Sequence, residues 1–446
     1  MNVKTQKFLV LGISKSGRSA GEYVLKSGGE CYFYEELNSP VIDLAIKDLT
    51  ALGGKRVDKE NIDQIIEKID AVIVSPGVPI NHEIAVRAKK SGKRLISELE
   101  FGFSCLEPCV VAVTGTNGKT TTVSLIENVL KESKKETFAV GNVGVPVTGE
   151  VSRIGKDAVC VAEVSSFQLE TTNYFRPHVA CVLNVAPDHL ERHYTMENYI
   201  FLKGKLLKNQ TQTEYSVLNY DDQTVKEFQK NTLAKVVWVS LYERVDGAYR
   251  QNGKLYYNDE YVMDESELTI FGEHNVQNAL FAIAVCKLLK VDTKIISNAL
   301  SSFKGVKHRI ELVCEKNGKK YFDDSKATNT ASTITALNAM RSETVLILGG
   351  SEKGESFEPL FNKIRTSPIK HVVLTGASRY HMLDDAIKVG YSELTISSDF
   401  SSAVKIADKF AESGDAVLLS PACASFDCFK NYEERGQTFV NIVGEL

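Results

Sequence analysis

Short, unbroken apolar runs separated by stretches of helical period recur along the chain. FLVLGI (8–13) predicts a buried strand and the stretch after Gly17 a helix. CYFYEE (31–36), AVIVSPG (71–77) and RLISE (94–98) predict further strands. Apolar runs of this length alternating with helices imply a parallel sheet covered on both faces. The pattern restarts at CVVAVTG (109–115), followed by a helix from Lys119 to Lys134 and by strands at AVCVAEV (158–164) and VACVLNV (179–185). Helical period returns at Met196–Lys208 and Val276–Leu289. Asn252-Gly253 and Asn317-Gly318, each between strand-like segments, predict β-hairpins. A last alternation follows with TVLILGG (344–350), HVVLTGA (371–377) and AVLLSPA (416–422). The expected fold is three α/β domains: a Rossmann-like 1–97, a parallel-sheet 98–305 and a second Rossmann-like 306–446.

Composition narrows the class without naming it. At about 150 residues per domain, a chain of 446 residues fits three domains. It is 43% hydrophobic and 25% charged with a net charge of −4, which excludes a disordered chain and one held globally on nucleic acid or anionic membrane. Nine cysteines without a C-x-x-C pair predict small buried hydrophobes, not a metal cluster or disulfide framework. No run approaches the roughly 18 apolar residues of a membrane helix, and the first apolar stretch is too short for a signal peptide. A cytoplasmic monomer is expected.

The sharpest local signal is Thr114-Gly115-Thr116-Asn117-Gly118-Lys119-Thr120-Thr121, after a strand and opening a helix. Glycines there let backbone N–H groups converge on phosphate oxygens, and the helix N-terminus adds partial positive charge. Lys119 can reach terminal phosphates and Thr120 can ligate Mg²⁺. Val113 occupies the first glycine position of the general phosphate-loop pattern, so the short motif alone leaves the family open. The N-terminal turn Gly12-Ile-Ser-Lys-Ser-Gly17 has Ser14 where a dinucleotide fingerprint wants its second glycine, a weak basis for a nicotinamide oxidoreductase.

Read as a longer word, TGTNGKTT resembles the ATP loop of the Mur ligases, ATP-dependent amino-acid ligases of peptidoglycan synthesis. GNVGVP (141–146), EVSSFQLE (163–170), LNVAPDHLERH (183–193), EHNVQNAL (273–280), KHRIE (307–311), DDSKATN (323–329) and SPACASFDCFKNYEERG (420–436) resemble further family blocks, in family order. SSFQLE, DSKATN and SPACASFDCF are most similar to the branch that joins D-glutamate to UDP-N-acetylmuramoyl-L-alanine. The D-N-P-R word of the diaminopimelate- or lysine-adding branch is absent. The alternative within the family is a ligase for another amino acid. A non-catalytic nucleotide-regulated module is a reading from a different class.

The resemblance implies activation of a carboxylate by ATP to an acyl phosphate, which an amine then attacks. ATP contacts are expected from Gly115, Thr116, Asn117, Gly118, Lys119, Thr120, Thr121, Asn275, Asn278, Arg309 and Asp324. Two Mg²⁺ ions are implied, with Thr120, Glu163, His189 and a carbamylated Lys203 as ligands; Lys205 competes for the carbamate position. Lys119, Glu163, His189 and Lys203 are the implied catalytic set. Ser14, Lys15, Ser16, Glu35, Ser75, Gly77, Asn142 and Ser165 are implied for the UDP substrate. Lys326, Thr328, Lys353, Ser425 and Phe426 are implied for D-glutamate.

Overall fold

Three separate sheets organise the chain in the computed structural model, which describes residues 1–142, 144–270, 272–351, 354 and 356–446. The first sheet is wholly parallel and runs across as Lys55–Arg56, Glu30–Tyr34, Lys7–Leu11, Ala71–Val74 and Arg94–Ser97. Its apolar runs are continuous because each face is covered. Phe8 and Val10 pack on one side with Ala20, Val24 and Leu49, and Leu9 and Leu11 on the other with Ile66, Ile84 and Ala88. Strand order diverges on either side of Lys7–Leu11, which opens a crevice at its carboxyl end beside Ala71–Val74. The helix there begins at Lys15, ahead of Gly17, because extended Ser14 serves as its N-cap.

The second sheet has nine strands. Its parallel part runs Thr137–Gly141, Val159–Glu163, Cys109–Thr114, Val179–Val182, Tyr215–Asn219, Lys235–Ser240 and Gly247–Gln251. Lys254–Tyr257 and Glu260–Asp264 add antiparallel strands at one edge. Asn252 and Gly253 turn the first of these hairpins with φ of 50° and 72°, the left-handed pair that the Asn-Gly signal predicts. Cys109–Thr114 is an interior strand, so its carboxyl end carries the loop 115–118 between the ends of Val159–Glu163 and Val179–Val182.

The third sheet runs Glu311–Lys316, Lys319–Asp323, Ala416–Leu419, Thr344–Gly349, Ile369–Thr375 and Leu394–Ile396. Only its first pair is antiparallel, closed by Asn317 and Gly318 at φ of 55° and 75°.

The chain divides into two compact units, Met1–Leu268 with Val276–Phe303, and Thr269–Asn275 with Lys304–Leu446. The first unit holds the first two sheets, tied by Ser97 N–H to Thr171 O at 3.1 Å and the Ser97 and Thr172 hydroxyls at 3.0 Å. The nine cysteines are all free thiols: most are wholly or partly buried as expected, whereas Cys428 is exposed. Among the described residues, no helix is long and apolar enough to cross a membrane.

Candidate active site

The loop after Cys109–Thr114 is glycine-rich for steric reasons that the structure makes explicit. A Cβ at Gly118, where φ is +85°, would stand 2.5 Å from Asn278 Oδ1, and one at Gly115 would stand 2.9 Å from Leu183 Cβ. Asn184 clamps the loop from the next strand: its Oδ1 accepts from Asn117 N–H at 2.8 Å and its Nδ2 donates to Asn117 O at 3.1 Å. Thr116 Oγ1 accepts from Ala186 N–H at 3.0 Å and lies 3.2 Å from the Tyr199 hydroxyl. Lys119 lies over the loop, its Nζ donating to Gly115 O at 2.9 Å and Thr116 O at 2.7 Å. Thr120 and Thr121 are buried in the first helical turn, and Thr122 donates to Asn278 Oδ1 at 3.1 Å. Asn278 therefore braces the loop.

Thr120 Oγ1 donates to Glu163 Oε2 at 2.8 Å, and Asn142 Nδ2 donates to Glu163 Oε1 at 2.9 Å. Glu163 is only 2% exposed. Among the described residues no Lys, Arg or His forms an ion pair with it. A buried carboxylate held by neutral donors calls for a counter-charge. A carboxylate and a threonine hydroxyl beside a phosphate loop are hard oxygen donors of the kind Mg²⁺ takes. The residues present thus fit the ion.

Lys203 is 1% exposed, on helix Met196–Gly204. Its Nζ lies 4.4 Å from the Tyr199 ring centroid. Burial, reinforced by Lys119, holds its amine well below the ordinary lysine range, and Asp188 opposes that only in part. Lys205 is differently engaged: it donates to the carbonyls of Leu169 and Glu170, the latter at 3.1 Å, at the end of helix Ser166–Glu170. His189 sits at φ +54°, its ring 4.8 Å from Phe167, with Asp188 and Glu191 oxygens at 3.5 and 3.6 Å. His193, which the sequence reading passed over, is buried with Nε2 2.9 Å from Ser166 Oγ and its ring stacked on Tyr199.

Several residues expected to meet the UDP substrate have polar groups engaged in shaping the N-terminal crevice. Glu35 Oε2 accepts from Ile13 N–H and its Oε1 from Glu36 and Leu37 N–H, all at 2.9 Å. Ser75 Oγ donates to Gly12 O at 2.6 Å. Ser165 caps helix Ser166–Glu170 in a reciprocal box with Gln168. Ser14 and Lys15 are exposed and Ser16 half-buried, and Lys15 Nζ reaches Gly144 O of the central domain at 2.6 Å. Gly77 is exposed, and Arg192 donates to the neighbouring Val78 O at 2.9 Å while pairing with Glu170 at 2.6 Å. Arg192 thereby joins the 75–78 turn to the APDHLERH segment.

In the second unit the expected residues converge on a clamp that sequence reasoning missed. Arg435, 2% exposed, donates through Nε to Ser325 Oγ at 2.9 Å, through Nη2 to Ser325 O at 2.7 Å and Cys423 O at 3.0 Å, and through Nη1 to Ala424 O at 3.2 Å. It fastens the loop bearing Lys326 and Thr328 to the loop bearing Ser425 and Phe426. Lys326 Nζ lies 5.1 Å from the Tyr432 ring centroid. Ser425 is buried and Phe426 exposed. Asp324 is buried, accepts from Ser420 Oγ at 2.7 Å, and is pushed up to about 7 by burial despite that bond and nearby Arg309. Arg309 Nε is buried without a hydrogen-bond partner among the described residues. Asn275 is buried in this unit. Lys353 lies outside the described residues.

Comparison with known proteins agrees with this layout. Residues 113–286 match the Mur ligase middle domain and residues 308–423 the Mur ligase, glutamate ligase domain. The chain is 38% identical over 453 aligned positions to a UDP-N-acetylmuramoylalanine--D-glutamate ligase of Thermoanaerobacter sp. (strain X514), covering 100% of both chains. It is 36% identical over 451 positions to the ligase of the same name in Clostridioides difficile (strain 630), again covering 100% of both. The solved MurF ligase of Thermotoga maritima in complex with ADP superposes with a TM-score of 0.62 at 16% identity, covering 100% of this chain and 98% of that one. With both family domains matched and the identity running end to end, the chain belongs to the Mur ligase family.

Proposed function

We propose that the protein is an ATP-dependent amide ligase that joins D-glutamate to UDP-N-acetylmuramoyl-L-alanine, releasing ADP and phosphate, in the cytoplasmic synthesis of peptidoglycan precursors. The observation that carries this reading is the identity to D-glutamate ligases over the full chain. The aligned length spans the two loops that Arg435 fastens together. In this reading the enzyme acts as a monomer, with 1–97 receiving the UDP end, 98–305 ATP and 306–446 D-glutamate.

The chemistry follows from what the residues can do. A carboxylate oxygen of the UDP substrate attacks the terminal phosphorus of ATP, and ADP leaves. The D-glutamate amine then attacks the acyl carbon, phosphate leaves, and the amine proton passes to a base. Both reactants are anionic, so charge neutralisation dominates the barrier. Lys119 and the loop N–H groups hold the phosphates, and Arg309 supplies a second cation, a planar one. Thr120, Glu163 and His189 would hold Mg²⁺, which neutralises the phosphoryl oxygens and the attacking carboxylate. A second ion would use the same group of oxygen donors. Burial lowers the basicity of the Lys203 amine, which favours its attack on carbon dioxide; as a carbamate it would become an oxygen donor instead of an amine. Lys326, Lys353, Thr328 and buried Ser425 are the complement of a substrate with two carboxylates.

A panel of amino acids offered with ATP, Mg²⁺ and UDP-N-acetylmuramoyl-L-alanine tests the assignment. Phosphate release stimulated by D-glutamate alone supports it. Stimulation by another amino acid, with D-glutamate inert, transfers the protein to a different branch of the family.

A further inference from the structure

Glu98 is a carboxyl only 1% exposed, outside the phosphate-loop cluster. It opens helix Glu98–Ser104, directly after the last strand of the N-terminal sheet. Its Oε1 accepts from Thr148 N–H and from the Thr148 hydroxyl, both at 2.7 Å, whereas its Oε2 is buried without a partner. Leaving one carboxyl oxygen unsatisfied costs desolvation energy that an apolar side chain would avoid. The bonds to Thr148 are what this carboxyl offers in return.

Thr148 lies in helix Val147–Glu150, immediately after GNVGVP. Two other helices pack closely around it. Its hydroxyl is 2.9 Å from Ser19 Oγ of helix Lys15–Lys26, and a Cβ at Gly102 of helix Glu98–Ser104 would stand 2.6 Å from Val147 Cγ1. The far end of the same segment is fixed at the chemical centre, where Asn142 N–H donates to Glu163 O at 2.9 Å and Asn142 Nδ2 to Glu163 Oε1 at 2.9 Å. Gly141 N–H donates to Val145 O at 3.0 Å, so the helix bearing Thr148, which follows Val145, is tied through that bond to Gly141 and the adjoining Asn142.

We propose that Glu98 is a positioning residue of the ligase: by holding Thr148 it keeps Val145 against Gly141 in the register that presents Asn142 to Glu163, a role that rests on the assignment of Glu163 and Asn142 above. The N-terminal domain thereby takes part in orienting a carboxylate of the ATP site through two hydrogen bonds.

Three substitutions, read in the wild type and in an Asn142→Ala background, test this. Glu98→Met removes both acceptors at similar length, Thr148→Val removes only the hydroxyl, and Glu98→Gln keeps an acceptor oxygen. D-glutamate-dependent phosphate release is measured as kcat, with KM for Mg²⁺ and for D-glutamate. Glu98→Met is expected to lower kcat by about 10- to 100-fold and raise the Mg²⁺ requirement, with KM for D-glutamate unchanged. Thr148→Val follows in the same direction with a smaller effect, and Glu98→Gln stays within about twofold of wild type. In an Asn142→Ala background the Glu98→Met loss shrinks to about twofold or less. Wild-type kcat and Mg²⁺ requirement in folded Glu98→Met, or an undiminished loss in the Asn142→Ala background, overturns the role. If Glu98→Met does not fold by circular dichroism, Thr148→Val in both backgrounds decides by the same criteria. The D-glutamate dependence of the wild type, read in the same assay, separates failure of the reaction assignment from failure of the Glu98 role.

Discussion

The Thr120 hydroxyl donates to the Glu163 carboxylate at 2.8 Å, joining the first turn of the phosphate-loop helix to the end of the adjacent parallel strand. Asn142 holds the other Glu163 oxygen, so both are oriented by neutral donors and the negative charge is available to a cation. Glu163→Gln retains the shape of this arrangement and removes its charge. Phosphate release is expected to fall by about 10²-fold or more, with a raised Mg²⁺ requirement and an unchanged melting temperature. A Mg²⁺ titration of steady-state rates beside a thermal melt checks this.

Lys203 and Lys205 are two residues apart and engaged differently. Lys205 donates to the carbonyls of Leu169 and Glu170, whereas the Lys203 amine is buried against Tyr199, where desolvation and Lys119 hold it well below the ordinary lysine range. Carbon dioxide should therefore modify Lys203. Enzyme supplied with ¹³C-bicarbonate should show a carbamate carbon resonance that persists in Lys205→Met and is lost in Lys203→Met. Bicarbonate should raise the rate of the wild type and leave that of Lys203→Met unchanged.

Arg435 makes four hydrogen bonds from a buried guanidinium, linking Ser325 to Cys423 and Ala424. Lysine keeps the charge and loses the fork geometry. Arg435→Lys is expected to destabilise the second unit by about 2 kcal/mol and to raise KM for D-glutamate about tenfold or more while KM for ATP changes little. Steady-state kinetics with each substrate varied in turn provides the comparison.

Glu98 and Asp324 are buried carboxyls pushed up to about 7 from ordinary values of 4.5 and 3.8, chiefly by desolvation. Each binds its proton more tightly in the folded state, so each contributes stability that is fully present below its ordinary pKa. That contribution is lost as pH rises through about 7. Glu98→Gln should flatten the decline in unfolding free energy between pH 4.5 and 7, a change of about 3 kcal/mol. Urea melts of both proteins at several pH values read the slope; equal slopes would contradict it.

The parts legible in the sequence are those with local causes. The phosphate loop could be read because glycine spacing between a strand and a helix is a short-range requirement, and Glu163 because it ends an otherwise apolar strand. Both Asn-Gly turns were legible for the same reason: only left-handed backbone closes those hairpins, and Asn252, Gly253, Asn317 and Gly318 adopt it. Residues that act by tertiary approach left no such trace. Asn184 is 67 positions from Asn117, and Arg435 is 110 from Ser325, yet each clamps a loop that the sequence did identify. Glu35 carries both kinds of cause: its position after a strand pointed to a ligand contact, and the fold also engages its carboxylate with three backbone N–H groups that the sequence did not reveal.

An acyl-phosphate route moves one oxygen from the substrate carboxylate to the released phosphate. UDP-N-acetylmuramoyl-L-alanine labelled with ¹⁸O in its terminal carboxylate is incubated with ATP, Mg²⁺ and D-glutamate, and the released phosphate is examined by mass spectrometry. An acyl-phosphate route requires one labelled oxygen in phosphate for each amide formed, and no net phosphate release without D-glutamate. Unlabelled phosphate, or release indifferent to D-glutamate, would contradict the account.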